Sequence, residues 1–98
     1  MVDILGEDEK ILTVHPQGKR GVRISKTKYD LIKDAMVECL KSGSLTHLDL
    51  MDCIKKRLEK RFEGSIGWYS ETVKLDLEAR KIIGRKTDVK PHVYILNT

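Results

Sequence analysis

The chain has 98 residues, 40% of them hydrophobic and 35% charged, with a net charge of +4. That length supports one domain with a modest core, and no apolar run approaches the roughly 18 residues of a membrane-spanning helix. The acidic start, Met1 to Lys10, argues against a signal or transit peptide, so a cytoplasmic protein is expected.

Residues 1–9 read as a loose acidic arm and 10–98 as the single domain. Lys10 to Val14 and Val22 to Ile24 are candidate strands of a short hairpin. His15 to Gly21 between them is a loop, with a proline, two glycines and the cations Lys19 and Arg20. The first helix is predicted from about Thr27 to Lys41, capped by Ser25 or Thr27. Its inner face is Tyr29, Ile32, Met36, Cys39 and Leu40, and Gly43 ends it. Leu45 is a candidate bridge to the C-terminal strands. Thr46 caps a second helix that runs to about Arg61, with Leu50, Met51, Ile54, Leu58 and Phe62 inward.

Glu63 to Ser65 is the predicted turn into the third helix, and Ser65 is its cap or, alternatively, a phosphate contact. From Gly64 to Ile83 the apolar residues fill a broad arc that includes Ile66, Trp68, Tyr69, Val73, Leu75 and Leu77. Gly67, Ser70, Glu71, Lys74, Glu78 and Lys81 fill the opposite strip, predicted to face outward. Trp68 reads as a core anchor against the first helix, with base stacking as its alternative. Asp76 reads as the partner of Arg80 one turn on, shielded by Tyr69. Ile82 to Lys86 and His92 to Leu96 then read as a hairpin. Three helices followed by a β-hairpin, with a short N-terminal β extension, is the order of an α+β winged helix-turn-helix.

Gly67-Trp68, Val73-Lys74-Leu75-Asp76-Leu77-Glu78-Ala79, Ile82-Ile83 and the closing Val93-Tyr94-Ile95-Leu96 together resemble a family of small uncharacterised bacterial proteins of about this length. That family carries a Gly-Trp, then a Val-x-Leu-Asp-Leu-Glu-Ala signature, and a His-Pro-Gly-Lys-like loop near its start. The resemblance spans roughly residues 11–96, and His15-Pro16-Gln17-Gly18-Lys19 has one residue more than that loop. More distantly, residues 45–96 resemble the winged-helix domain that precedes the nuclease in Mrr-type restriction systems. These resemblances imply the winged-helix fold. They imply DNA binding only by analogy, because a fold hosts many functions.

Basic residues cluster at Lys19 to Lys33, at Lys55 to Arg61 and at Arg85 to Lys90, which suits a polyanion-binding surface. The second cluster also complements the negative end of its own helix. The expected function is therefore double-stranded DNA binding, as a small transcriptional regulator, through the third helix, the wing and the basic loop. The candidate contacts are Lys19, Arg20, Ser65, Ser70, Lys74, Arg85, Lys86 and Lys90. A homodimer is a candidate assembly, with the edges of residues 10–14 or 22–24 as contacts. The rival reading is a protein-interaction module acting through the same third helix. It is favoured by an outward strip with balanced charge and no asparagine or glutamine to read bases. No catalytic motif is present, and neither cofactor nor metal is expected, since His15, His47 and His92 are scattered. Cys39 and Cys53 read as buried reduced thiols.

Overall fold

The computed structural model describes residues 9–97, which excludes nearly all of the expected acidic arm. The architecture is α+β, three helices with two small antiparallel sheets. Strand β1 (Lys10–Leu12) pairs with β2 (Arg23–Ser25), with Ile11 opposite Ile24. Helix α1 (Lys26–Lys41) follows at once. Then come β3 (Leu45–Thr46), α2 (His47–Leu58), α3 (Ile66–Ala79), β4 (Ile83–Lys86) and β5 (Val93–Leu96). The second sheet has the order β3-β5-β4, so the anticipated Leu45 bridge is real: Leu45 lies opposite Tyr94.

Each helix starts where a hydroxyl can satisfy a free N–H group. Ser25 accepts from Lys28 N at 3.2 Å, Thr46 from Asp49 N at 3.2 Å and Ser65 from Trp68 N at 3.1 Å. Helix α1 stops at Ser42, and Gly43 follows at φ +139°, a conformation that glycine adopts without steric cost. Helix α2 ends at Leu58, three residues short of the expected Arg61, so the connection to α3 covers residues 59–65 rather than the short turn expected at 63–65.

The core is one cluster. Tyr29, Ile32, Met36 and Leu40 of α1 meet Leu50, Ile54 and Leu58 of α2, Val73 and Leu77 of α3, and Ile83 and Tyr94 of the sheet. Its apolar burial is the main stabilising contribution of the fold. The cysteine expectation is corrected here. Cys39 of α1 and Cys53 of α2 form a disulfide, with Cα atoms 6.1 Å apart. Each was expected among apolar neighbours, but that they face one another depends on how α1 packs on α2, which neither helix's own pattern encodes. The bond ties the two helices across 14 positions of sequence.

Among the described residues, no helix is long and apolar enough to cross a membrane.

Candidate functional site

Helix α3 is the element whose two flanks and outer face hold the chemistry of the molecule, and its orientation differs from the expected one. Val73 and Leu77, one turn apart, point into the core, and Ser70, Lys74 and Asp76 are buried with them. At about 100° per residue, Trp68 and Leu75 fall together roughly opposite Leu77. Trp68 is 49% exposed. The expected core anchor is thus on the surface, where its ring packs edge-on to Tyr69 at 4.9 Å. Ser70 and Lys74, expected on the outward strip, are inside.

Lys74 is only 3% exposed because its ammonium is fully partnered. Its Nζ donates to His47 Nδ1 at 3.0 Å, to Tyr94 Oη at 3.0 Å and to Glu71 Oε1 at 3.0 Å. It also lies 4.4 Å from the centre of the Tyr94 ring. A lysine has three N–H donors and each has an acceptor here. This pairing is why a charged side chain is tolerated inside, since an unpaired buried ammonium is strongly unfavourable. Ser70 Oγ has no hydrogen-bond partner among the described residues.

On the other flank of α3, Asp76 is wholly buried. Its carboxylate accepts from Val14 N at 2.7 Å, from Arg80 Nε at 2.9 Å and from the Tyr29 hydroxyl. The Arg80 pair is as expected, but the groups that enclose Asp76 with it are Tyr29 and the backbone of Val14, not Tyr69. Burial, and then the bond to Asp76, push the Tyr29 hydroxyl well above its ordinary pKa, and the bond to Asp76 raises that of the Arg80 guanidinium. Through Val14 N, Asp76 fastens the N-terminal hairpin to α3.

That hairpin continues past its strands. Thr13 N donates to Val22 O at 2.9 Å, and the Thr13 hydroxyl both accepts from Val22 N at 3.0 Å and donates to Val22 O at 3.1 Å. The chains come so close that a Cβ on Gly21 would lie 1.7 Å from Thr13 O, so only glycine fits there. The pinned loop places Val14, Arg20 and Val22 beside Trp68, Thr72 and Leu75 of α3. Between them is a shallow cleft of about 170 Å³. Val14 is 43% exposed and Val22 40%, so the cleft sits in an apolar patch. Arg20 lines it, and Glu71 and Glu78 stand half-buried on the same helix.

The eight expected contact residues therefore divide. Lys19, Arg20, Lys86 and Lys90 are exposed, and Ser65 is exposed but spends its hydroxyl as the α3 cap. Arg85 is held by Glu78 at 3.3 Å and lies over the Tyr94 ring at 5.5 Å. Ser70 and Lys74 leave the surface altogether. The α3 face left outside has carboxylates and apolar groups; of the two expected cations Lys74 is buried, and Lys81 is exposed just past the end of the helix. The sequence signal for that face was Trp68 and Leu75 sharing a helical direction opposite the Val73–Leu77 pair.

Among the described residues, no group of three or more His, Cys, Asp or Glu side chains could hold a metal ion. Comparison with curated proteins and with solved structures gave no match. One family does match, over residues 10–94: the chain belongs to a family of unknown function, DUF6958.

Proposed function

We propose that the protein is a winged-helix protein-interaction module that binds a peptide segment of another protein in the cleft between α3 and the 13–22 loop. Three helices and then a hairpin, with β3 joining that hairpin as a third strand, support the winged-helix assignment. The observation that carries the interaction reading is the outer face of α3. It presents a half-exposed Trp68 with Leu75, beside Val14 and Val22 of the loop, and it has lost Lys74 and Ser70 to the interior. An exposed tryptophan in an apolar patch with an arginine at its rim is the composition of an interface hot spot. The segment that fits is an apolar anchor side chain for the cleft next to a carboxylate for Arg20.

Selection of random displayed peptides on the immobilised full chain tests this. The reading expects enriched sequences that pair a large apolar residue with Asp or Glu. Trp68→Ala should weaken their binding by at least ~2 kcal/mol, about thirtyfold, as for a hot-spot truncation. Arg20→Glu should weaken it as well, and Lys86→Glu with Lys90→Glu should leave it intact. Peptides that bind the Trp68→Ala protein equally well, or a selection that enriches nothing, would rule the cleft out.

A second reading, DNA binding, is favoured by the exposed cations Lys19 and Arg20 on the loop and Lys86 and Lys90 on the hairpin. Phosphate contacts from these would give affinity with little base readout, and a homodimer would double them. A gel shift from roughly 50 to 200 mM salt separates the two. Binding that falls by orders of magnitude over that range, and is lost in the Lys86→Glu, Lys90→Glu double variant, marks DNA.

A further inference from the structure

The Lys74 flank of α3 leads to a second site. A cavity of about 480 Å³ lies where β3 turns into α2, against the far end of the β4–β5 hairpin. Its walls include His47, Leu48, Lys90, Pro91, His92 and Tyr94. That volume is in the range of small-molecule sites, which are concave, mostly apolar and fitted with a few polar groups. Leu48, Pro91 and the Tyr94 ring supply the apolar part. Leu48 is 78% exposed on a helix whose other large apolar residues face inward.

The protons around Lys74 show what the cavity lacks. All three ammonium protons are donated, to Glu71, His47 and Tyr94. His47 Nδ1 must then accept, which puts the ring proton on Nε2, 3.8 Å from Glu71 Oε2. Tyr94 Oη also accepts, so its own O–H proton is still to be given. Among the described residues that proton has no acceptor, although Tyr94 is only 5% exposed. Tyr94 lines the cavity together with Lys90 and His92, so a ligand there can take that proton. These groups offer donors and positive charge, and no carboxylate lines the cavity.

We infer that this cavity binds a small organic carboxylate with a flat apolar body, its carboxylate accepting from the Tyr94 hydroxyl and facing Lys90 and His92. The site is separate from the cleft on the outer face of α3 and does not depend on the peptide reading.

The test is titration of the full chain, disulfide intact, with sodium benzoate at constant ionic strength, followed through its amide resonances. Benzylamine serves as a cation of similar size, and inorganic phosphate as an anion without the apolar body. The expected result is a saturable response to benzoate confined to residues 46–48 and 90–94, with none to benzylamine and a weaker one to phosphate. Tyr94→Phe keeps the ring and removes the proton, so it should weaken benzoate about tenfold, the effect of one charge-assisted hydrogen bond. Lys90→Glu, an exposed change that leaves the core intact, should weaken it as well. The inference is overturned by no saturable response, by equal binding of benzylamine or phosphate, or by unchanged binding in both variants.

Discussion

Helix α3 buries one charge on each flank, and the two are enclosed in different ways. Asp76 faces the N-terminal hairpin and α1. It is wholly buried; its partner Arg80 is 40% exposed, but the other two are the buried Tyr29 hydroxyl and the backbone amide of Val14. Lys74 faces the second sheet. It is nearly as buried, but two of its three acceptors are half in solvent: the His47 side chain is 42% exposed and that of Glu71 is 46%. The difference separates fastening from access. A charge that holds a buried hydroxyl and the backbone of another element locks those elements together, because removing it leaves these donors without an acceptor. A charge whose partners reach water can lose them at small cost, and it leaves room beside it for a ligand. The Asp76 flank is accordingly where the loop is pinned, and the Lys74 flank is where the cavity beside His47 and Tyr94 lies.

The strongest way to break this contrast is Asp76→Ala. It deprives Val14 N and the Tyr29 hydroxyl of their acceptor, while Arg80, 40% exposed, can turn to water, and it should cost about 3–5 kcal/mol, at roughly 1–3 kcal/mol for each stranded donor. Denaturant unfolding measures it. Amide exchange at Val14 should speed up even in conditions where the chain stays folded. A loss below about 1 kcal/mol would mean that the hairpin is held by its own strands and not by α3.

Tyr29→Phe is milder, about 1.5–3 kcal/mol, the worth of a hydrogen bond to a charged group. It also carries a pH signature. The Tyr29 pKa is raised in the folded state, so the folded chain keeps the hydroxyl protonated where the unfolded chain begins to ionise, near pH 10. The stabilisation is complete below that pH and is lost as pH rises from there through the higher folded value. The wild-type chain should therefore lose stability above about pH 10 more steeply than Tyr29→Phe. Parallel alkaline curves would show that Tyr29 is not shielded as its partners imply.

On the opposite flank Lys74→Met keeps the side chain's volume and removes its charge. Glu71 and His47 can return to water, so only the Tyr94 hydroxyl is stranded, and the cost should be about 1 kcal/mol. The same urea titration compares it with Asp76→Ala. Equal losses would erase the distinction between the flanks.

Much of the scaffold was legible from residue type and spacing. Thr46 and Ser65 cap as read, and Ser25 is the one of the two candidates, Ser25 and Thr27, that caps α1, because a hydroxyl before an apolar periodicity is a local signal. The strands at 10–12, 23–25, 83–86 and 93–96 fall within the β-branched runs read as strands or just beside them. The orientation of α3 was not legible, and the reason is non-local. Lys74 belongs inside only because His47 and Tyr94, 27 and 20 positions away, supply its acceptors. With a lysine and a serine inside and a tryptophan outside, hydrophobicity alone turns the helix the wrong way. The Cys39–Cys53 bond was hidden for the same reason, since it depends on how two helices pack. The candidate cleft followed the helix: its loop cations were read, but its apolar floor was assigned to the core.

Ser70 tests how tight the packing beneath α3 is, one turn before Lys74. Its hydroxyl is buried without a partner among the described residues, and the backbone there is regular helix. Ser70→Ala removes the unmet polar group and improves helix propensity at once, so it should raise stability by up to about 1 kcal/mol. For a domain of this size that raises the thermal midpoint by roughly 4–8 °C. The gain should be the same in the Lys74→Met background if the two side chains act independently. A gain that vanishes there would mean that the serine dipole supports the ammonium, making Ser70 part of the charge's enclosure. A loss in both backgrounds would mean that the hydroxyl is satisfied in solution, and that the Lys74 flank is more open than its burial suggests.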